Sequence, residues 1–407
     1  MKTSILKKHG DKLLFVLALA VLASAFIRLG ARSAQTQPTV PSLVFSHWEG
    51  APEKEALLEL IKEFEGLHEG IAIVLETRPY EELRNGLFNP TETDSPQSIS
   101  LGDILSLDPL WVAELLERGI VEIPRIENPI ISFINVLYYN VEILKEAGFS
   151  RPPKSRGEFI DYTRALTARA FSRQDRFQGL VLGGSSSRGI YDDIYPWIWA
   201  AGAELIRDGQ PAIGSRPIAE SLSFLAALNG EGLIASSAFS TDTKAKLEEF
   251  VLGRAAFMIA PASSIGFVRE RMGDDAFGVT SVPIPDNYAG KSFFGSAGWT
   301  VGVNSASPHK EEALLFADFI AGKASVLSEK AMAVPGNGIP LPSQDPFYSK
   351  LWDIAFAAEP SQDFAGLPWA ELDAIFREEL HALFAEESSP NETAAAIQTR
   401  WEAVLGE

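Results

Sequence analysis

VLYYNVEILKEAGFSRPPKSRGEF, residues 136–159, carries each kind of local signal that organises this chain of 407 residues. Residues 136–139 form a short apolar and aromatic run suited to a strand. Asn140 follows as a helix N-cap, because its side-chain oxygen accepts from the unpaired N–H groups of a first turn. Residues 141–147 read as a helix closed by Gly148. Pro152 and Pro153 hold the backbone extended. Ser155, with Glu158 three residues on, predicts a reciprocal capping box opening a helix that runs to about Phe171.

The same alternation extends in both directions. Upstream, residues 43–46 read as a strand. An amphipathic helix follows over 52–65, with Leu57, Leu60, Ile61 and Phe64 on one face. A second strand is expected at 71–76, a helix at 80–87, and a strand at 103–107 leading into a helix from Pro109 to Arg118. Downstream, strands are expected at 179–182, 255–259, 277–282 and 299–303. Helices are expected at 191–200, 217–228 and 243–252, and two long ones near 369–384 and 391–404 end the chain. Strand and helix alternating at this spacing imply crossover units: α/β lobes, each a mainly parallel sheet flanked by helices. No repeat of 20 to 50 residues is present.

The composition fits this reading. The chain is 46% hydrophobic and 22% charged, with 25 Phe and 8 Trp, which suits large packed cores rather than disorder. Residues 1–34 are a separate object. Lys2, Lys7, Lys8 and Lys12 precede an uncharged apolar run over 13–27, followed by Arg28, Arg32 and a polar stretch. This pattern, with Ala23-Ser24-Ala25, reads as an export signal, either cleaved or retained as a membrane anchor, and places the rest outside the cytoplasm. Removing the six basic residues and one acid of 1–34 from totals of 35 and 54 leaves 29 basic and 53 acidic, a net charge of −24. So acidic a surface repels phosphate backbones and excludes nucleic acid as a natural partner.

No catalytic constellation stands out in the sequence; the plentiful carboxylates leave paired acids of the glycosidase kind open but single out no pair. The absence of cysteine excludes thiolate chemistry, disulfides and Cys-ligated metals. His9, His47, His68, His309 and His381 show no ligand spacing, so no metal and no cofactor is expected. The stretch LGGSSSRG at 182–189 lacks the Lys-Ser/Thr of a phosphate loop and reads as a flexible loop. Aromatic residues stand out instead. Trp48 follows the first strand, Trp197 and Trp199 share a helix, and Trp299 follows a Gly-rich turn. In open sheets ligands collect at the carboxyl ends of strands, where Trp48 and Asp108 fall. An indole packs its flat face on the CH face of a sugar ring, and a carboxylate accepts hydroxyl hydrogen bonds. Asp108 before Pro109 fits helix capping equally well. Trp197 and Trp199 lie on different helix faces, and Trp199 is assigned to the cleft.

Read together, SHWEG (46–50), LLELIKEFEGLHEGIAI (57–73), the 136–159 stretch, YPWIWAAGAELI (195–206), GRAAFMIAPAS (253–263), FGVTSVPIP (277–285) and GSAGWTVGVNSASPHKEEALLFADFI (295–320) form an ordered set. This set resembles the bacterial extracellular solute-binding proteins of ABC-type importers that include the maltose-binding protein. The resemblance runs from about Ser42 to Val404. It implies a type II periplasmic-binding-protein fold of two α/β lobes with a C-terminal helical segment. Lobe 1 would comprise 42–130 and 286–340, lobe 2 would comprise 131–285, and 341–407 would supply helices packing on the lobes. It implies a monomer that captures a small polar solute, a sugar or oligosaccharide, and passes it to importer membrane subunits without chemistry. The site residues carried over by position are Trp48, Asp108, Tyr195, Trp199, Ser263, Gly298 and Trp299.

One departure from the family pattern concerns the short connection between Leu116 and Tyr138, where family members commonly carry an extra helix. It leaves a second reading open: an anchored extracytoplasmic interaction or sensor-adaptor protein of the same fold. Hinges are expected near 128–133 and 285–293. With less chain walling the cleft, the ligand-free protein is expected to be mostly open.

Overall fold

Each crossover unit folds because its helix carries one apolar face that must cover a sheet. The first shows the logic: helix Lys54–Leu67 buries Ala56, Leu57, Leu60, Ile61 and Phe64, the four larger side chains contributing about 1.5–3 kcal/mol each. The computed structural model describes residues 41–89, 101–123, 129–173, 177–295, 297–336, 338–361, 363–364 and 366–406. The segment read as an export signal lies outside them. Along the chain run β1 (Ser42–Trp48), β2 (Ala72–Arg78), β3 (Ile104–Leu107), β4 (Val121–Glu122), β5 (Ile131–Phe133), β6 (Asn135–Asn140) and β7 (Gln178–Val181). They are followed by β8 (Ile206–Arg207), β9 (Gln210–Pro211), β10 (Ala255–Pro261), β11 (Phe277–Thr280), β12 (Ser292–Phe294), β13 (Ala297–Asn304), β14 (Val334–Pro335) and β15 (Ala358–Pro360).

Two main sheets result. The first has the order β14-β5-β13-β3-β1-β2, with β4 also on β13; the second has the order β11-β6-β10-β7. Both are mixed rather than mainly parallel. β1 runs parallel to β2 and β3, and β10 parallel to β7, as crossover helices require. The returning strand β13 is antiparallel to β3, β4 and β5, and β6 is antiparallel to β10 and β11. A return strand that comes back from the other lobe has no local crossover helix to set its direction.

The sheets define two lobes that exchange chain. β5 belongs to the first sheet and β6 to the second, so only Ile134 separates them at the first crossing. The second crossing lies between β11 and β13. One face of the first sheet packs Phe45, Phe64, Trp299, Val301 and Phe316 into a core, and the other packs Leu83, Leu107, Trp111 and Leu115. On the second sheet, Leu137, Phe257 and Ile259 share a core with Trp369, Phe376 and Trp401 of the C-terminal helices Trp369–Phe384 and Pro390–Leu405. The helix Pro346–Phe356 covers its other face through Phe347, Tyr348 and Leu351.

Local caps mostly match the sequence. Asn140 accepts from Ile143 N, and Asp108 from Leu110 N. The box at Ser155 forms only in half. Ser155 Oγ receives Glu158 N at 3.4 Å, but the Glu158 carboxylate turns to Lys154 N (2.8 Å) and Arg151. A nearby guanidinium outcompetes the cap, and it holds the Glu158 carboxyl down to about 2.

Candidate functional site

At the carboxyl ends of β1 and β3 the chain gathers rings and one acid. Trp48 ends β1, partly buried, with His47 stacked beside it (centroids 6.3 Å, interplanar 4°) and Tyr80 edge-on at 5.4 Å. Tyr80, opening helix Tyr80–Phe88, tilts against Trp111 at 4.8 Å. Its hydroxyl donates to Asp108 Oδ2 at 2.8 Å. Burial, and then the Asp108 carboxylate, hold the Tyr80 phenol well above its usual range, so it stays a donor. Asp108 is fully buried. Its Oδ1 caps helix Pro109–Glu117, and its Oδ2 also receives Arg188 Nη1 at 2.6 Å. Arg188 comes from the other lobe, just before helix Gly189–Asp193.

Next to this point lies a cleft of about 1280 Å³. The first lobe lines it with Pro79, Glu81 and Arg84. The second lobe contributes the loop Gly184 to Ser187, Phe239, and Asp242 with Thr243 and Lys244. The helix Trp369–Phe384 contributes Trp369, Asp373, Arg377 and His381, among others. These four stand at successive i, i+4 steps and so share one helix face. Arg377 ties down the Gly/Ser loop: its guanidinium donates to the carbonyls of Gly184, Ser186 (2.9 Å) and Ser187 (3.3 Å), and to Asp373 Oδ2 at 3.0 Å. Thr243 N donates to Ser186 Oγ at 2.8 Å, pinning the loop from the other side. Gly189 ends the loop where a Cβ would lie 2.3 Å from the Gly183 carbonyl oxygen, so only glycine fits. The LGGSSSRG stretch, read as a flexible loop, is thus a braced wall of the cleft.

Burial raises the Asp373 carboxyl to about 6, with Arg377 opposing. Among the described residues, three polar atoms at this cleft are buried without a protein partner: Arg84 Nε, Ser187 Oγ and Trp369 Nε1. Buried polar atoms nearly always find partners, so these three, on residues that line the cleft, are candidates for ligand contacts.

None of the seven residues carried over by position lines this cleft. Trp48 and Asp108 come together through Tyr80, as described above. Tyr195 and Trp199 are fully buried beneath the C-terminal helices. Tyr195 donates to Asp373 Oδ1 at 3.3 Å, and Trp199 Nε1 to Asp363 Oδ2 at 2.8 Å. Ser263 sits partly buried in the short turn Ala262–Ser264 after β10. Gly298 pairs opposite Ser132 on β5, where a Cβ would meet the Ile131 carbonyl oxygen at 1.9 Å; close strand packing accounts for the glycine. Trp299 is fully buried, donating to Glu53 Oε1 at 2.7 Å. Sequence reasoning passed over Trp369, Arg377 and Arg188. The four-residue spacing from Trp369 to His381 was the available signal for the first two.

Two lobes joined by crossing strands around a cleft define the architecture of a periplasmic-type binding protein. Residues 50–326 match the family model described as "Bacterial extracellular solute-binding protein", and the chain belongs to that family. A Deinococcus radiodurans protein described as "Probable ABC transporter-binding protein" is 22% identical over 288 residues, 67% of each chain. Among solved structures, the GacH receptor of Streptomyces glaucescens, described unliganded and in complex with acarbose, superimposes with a TM-score of 0.74 at 19% identity. The match covers 90% of this chain and 98% of that one. Maltose-bound T. maritima MalE3 gives a TM-score of 0.70 at 18% identity, covering 89% and 99%. These likenesses bear out the two-lobed fold expected from the sequence.

Proposed function

We propose that this protein captures a saccharide, a sugar or short oligosaccharide, in the cleft between its lobes and delivers it to the membrane subunits of an ABC importer. The observation that carries the reading is the set of unpartnered buried polar atoms at the cleft, Arg84 Nε, Ser187 Oγ and Trp369 Nε1. They lie in a wall that also holds the half-buried ring of Phe239 and the edge of the Trp369 ring, which is 2% exposed. Rings and hydrogen-bonding groups side by side suit a ligand with apolar CH faces and a hydroxyl rim. The related structures whose descriptions name acarbose and maltose support the same ligand class. Together with the family, they favour solute capture over the anchored adaptor reading.

The protein acts outside the cytoplasm, in keeping with its extracellular family. Residues 1–34 serve as its export signal or anchor, and it works as a monomer without cofactor or catalysis. Among the described residues no group of His, Asp and Glu could hold a metal. The lobe boundaries of the sequence reading are kept, with β5 moved to the first lobe and β12, whose Phe293 and Phe294 pack on the second-sheet cores, moved to the second. Trp48 is kept as a cleft-edge residue; Trp369, Ser187 and Arg84 become the principal contacts.

A thermal-shift screen of the purified protein against malto-oligosaccharides, chito-oligosaccharides and monosaccharides tests the reading. A ligand at 100 times its Kd adds about 2.7 kcal/mol of stability, so a clear rise in melting temperature is expected with at least one saccharide. Turnover of the bound sugar would contradict the binding-only role.

A further inference from the structure

Asp108 is engaged by three donors and fully covered. Its Oδ1 accepts from Leu110 N at 3.0 Å, and its Oδ2 accepts from Tyr80 Oη at 2.8 Å and Arg188 Nη1 at 2.6 Å. The side chain of Asp108 is fully covered, and that of Arg188 is 11% exposed. The guanidinium is held from its own lobe as well. Nη2 donates to Asp192 Oδ1 at 3.2 Å, and its Cζ lies 5.2 Å from the Tyr191 ring centroid. Asp192 is fixed in turn by Asn135, the first residue of β6 just past the crossing at Ile134, whose Nδ2 donates to the Asp192 carbonyl at 3.1 Å and carboxylate at 3.3 Å. A continuous hydrogen-bonded path thus runs from the first lobe, through Tyr80, Asp108 and Arg188, to the strand at the crossing. Pro79 and Glu81, which flank Tyr80, and Ser187, which precedes Arg188, all line the cleft. The path therefore forms the inner end of the binding space.

We propose that Arg188 is a built-in occupant of the Asp108 site, a positioning and specificity-determining residue that takes the place of a ligand hydroxyl and latches the two lobes together in the ligand-free protein. Two consequences follow. The saccharide is confined to the outer cleft, beside Trp369 and Ser187, because the strand-end carboxylate is already neutralised by a bidentate-capable cation. Closure does not wait for ligand, because the pair is shielded from solvent and salt screens it weakly. A population already closed raises apparent affinity by its own fraction, and opening to admit ligand becomes the slower step.

The proposal rests on the cleft being the binding site, but its first test needs no ligand. The chain contains no cysteine, so Lys62→Cys and Asp161→Cys, on exposed helix positions of the two lobes, give unique spin-label sites. Distances are measured in the otherwise unaltered ligand-free protein and in Arg188→Ala and Asp108→Asn backgrounds. Asp108→Asn keeps an oxygen for the Leu110 cap, and circular dichroism checks that each variant folds. The expected result is one narrow distance in the parent and a shifted or broadened distribution in both variants, insensitive to 0.5 M salt in the parent at about the scale of a 4 Å Debye length. Distributions identical in all three folded proteins would overturn the latch. A second arm titrates maltose and maltotriose: Arg188→Ala should raise the association rate and change the preference between the two. If no protein binds either sugar, the saccharide reading fails while the distance result still decides the latch.

Discussion

Trp299→Ala separates a packing role from a binding role at the most conspicuous aromatic of the sequence. Trp299 is fully buried, with its ring edge-on to His47 (5.0 Å, 68°) and tilted against Phe45 at 6.4 Å. Its N–H donates to Glu53 Oε1 at 2.7 Å, an oxygen that also lies 3.4 Å from His47 Nε2; Glu53 is itself fully buried, and its Oε2 has no partner among the described residues. Truncating a buried Trp costs about 3–5 kcal/mol. Stripping the donor from a buried carboxylate adds roughly 1–3 kcal/mol. The sum approaches the total stability of many domains, about 5–15 kcal/mol, so the variant should be strongly destabilised or unfolded. Trp299→Phe keeps a six-membered ring but loses the donor and part of the buried volume, so it should cost about 2–4 kcal/mol and leave saccharide affinity within twofold. The assay is urea unfolding followed by circular dichroism, beside calorimetric titration of the folded variants. A Trp299→Ala protein as stable as its parent but deficient in saccharide binding would refute the core placement and return the indole to the cleft.

Other outcomes follow from the same structure. Trp369 is 2% exposed, so Trp369→Ala should cost about 3–5 kcal/mol of stability and, in protein that still folds, weaken saccharide binding by about 1–3 kcal/mol, read by calorimetry; Trp369→Phe should restore the ring contact but not the contribution of the N–H. The Asp373 carboxyl lies at about 6 against a reference of 3.8. The folded state therefore holds an extra proton between those values, and stability should fall as pH rises through that window, by up to about 3 kcal/mol. Urea midpoints from pH 4 to 7 measure it, and an undiminished slope in Asp373→Asn would argue against this residue as the source. Lys246 and Asp193 form a buried ion pair, with Lys246 also donating to the Ile259 carbonyl at 2.8 Å. Lys246→Met should cost about 3–5 kcal/mol by leaving Asp193 uncompensated. The double variant with Asp193→Leu should recover part of that loss; purely additive effects would speak against coupling.

Elements set by local chemistry were readable in the sequence. Asp108, Asn140 and the Leu57–Phe64 face act within a few residues, so their caps and amphipathic faces appear where expected. The strands of both sheets fall close to their apolar runs for the same reason. Roles set by distant chain were not readable. Tyr195 and Trp199 meet Asp373 and Asp363, more than 160 residues later, and no local period announces that the C-terminal helices will cover them. Trp299 sits on β13 between β3 and β5, where a central strand reads as apolar whichever way a given ring points. The antiparallel return of β13 was hidden because its partners lie in other segments. The Arg188–Asp108 pair was not readable either, because a lone arginine in a Gly/Ser stretch gives no hint that Asp108, eighty residues earlier, faces it.

The central claim is that the interlobe cleft binds a saccharide through the wall containing Trp369, Ser187 and Arg84. Calorimetric titration of the purified protein with the best saccharide of the thermal screen, run beside Trp369→Ala and Ser187→Ala, tests it most directly. The account predicts saturable one-to-one binding in the parent, with affinity lowered about fivefold or more in each variant, on the scale of 1 kcal/mol or above per lost contact. Saturable binding left unchanged by both substitutions, in variants that retain their fold, would place the ligand elsewhere and contradict it.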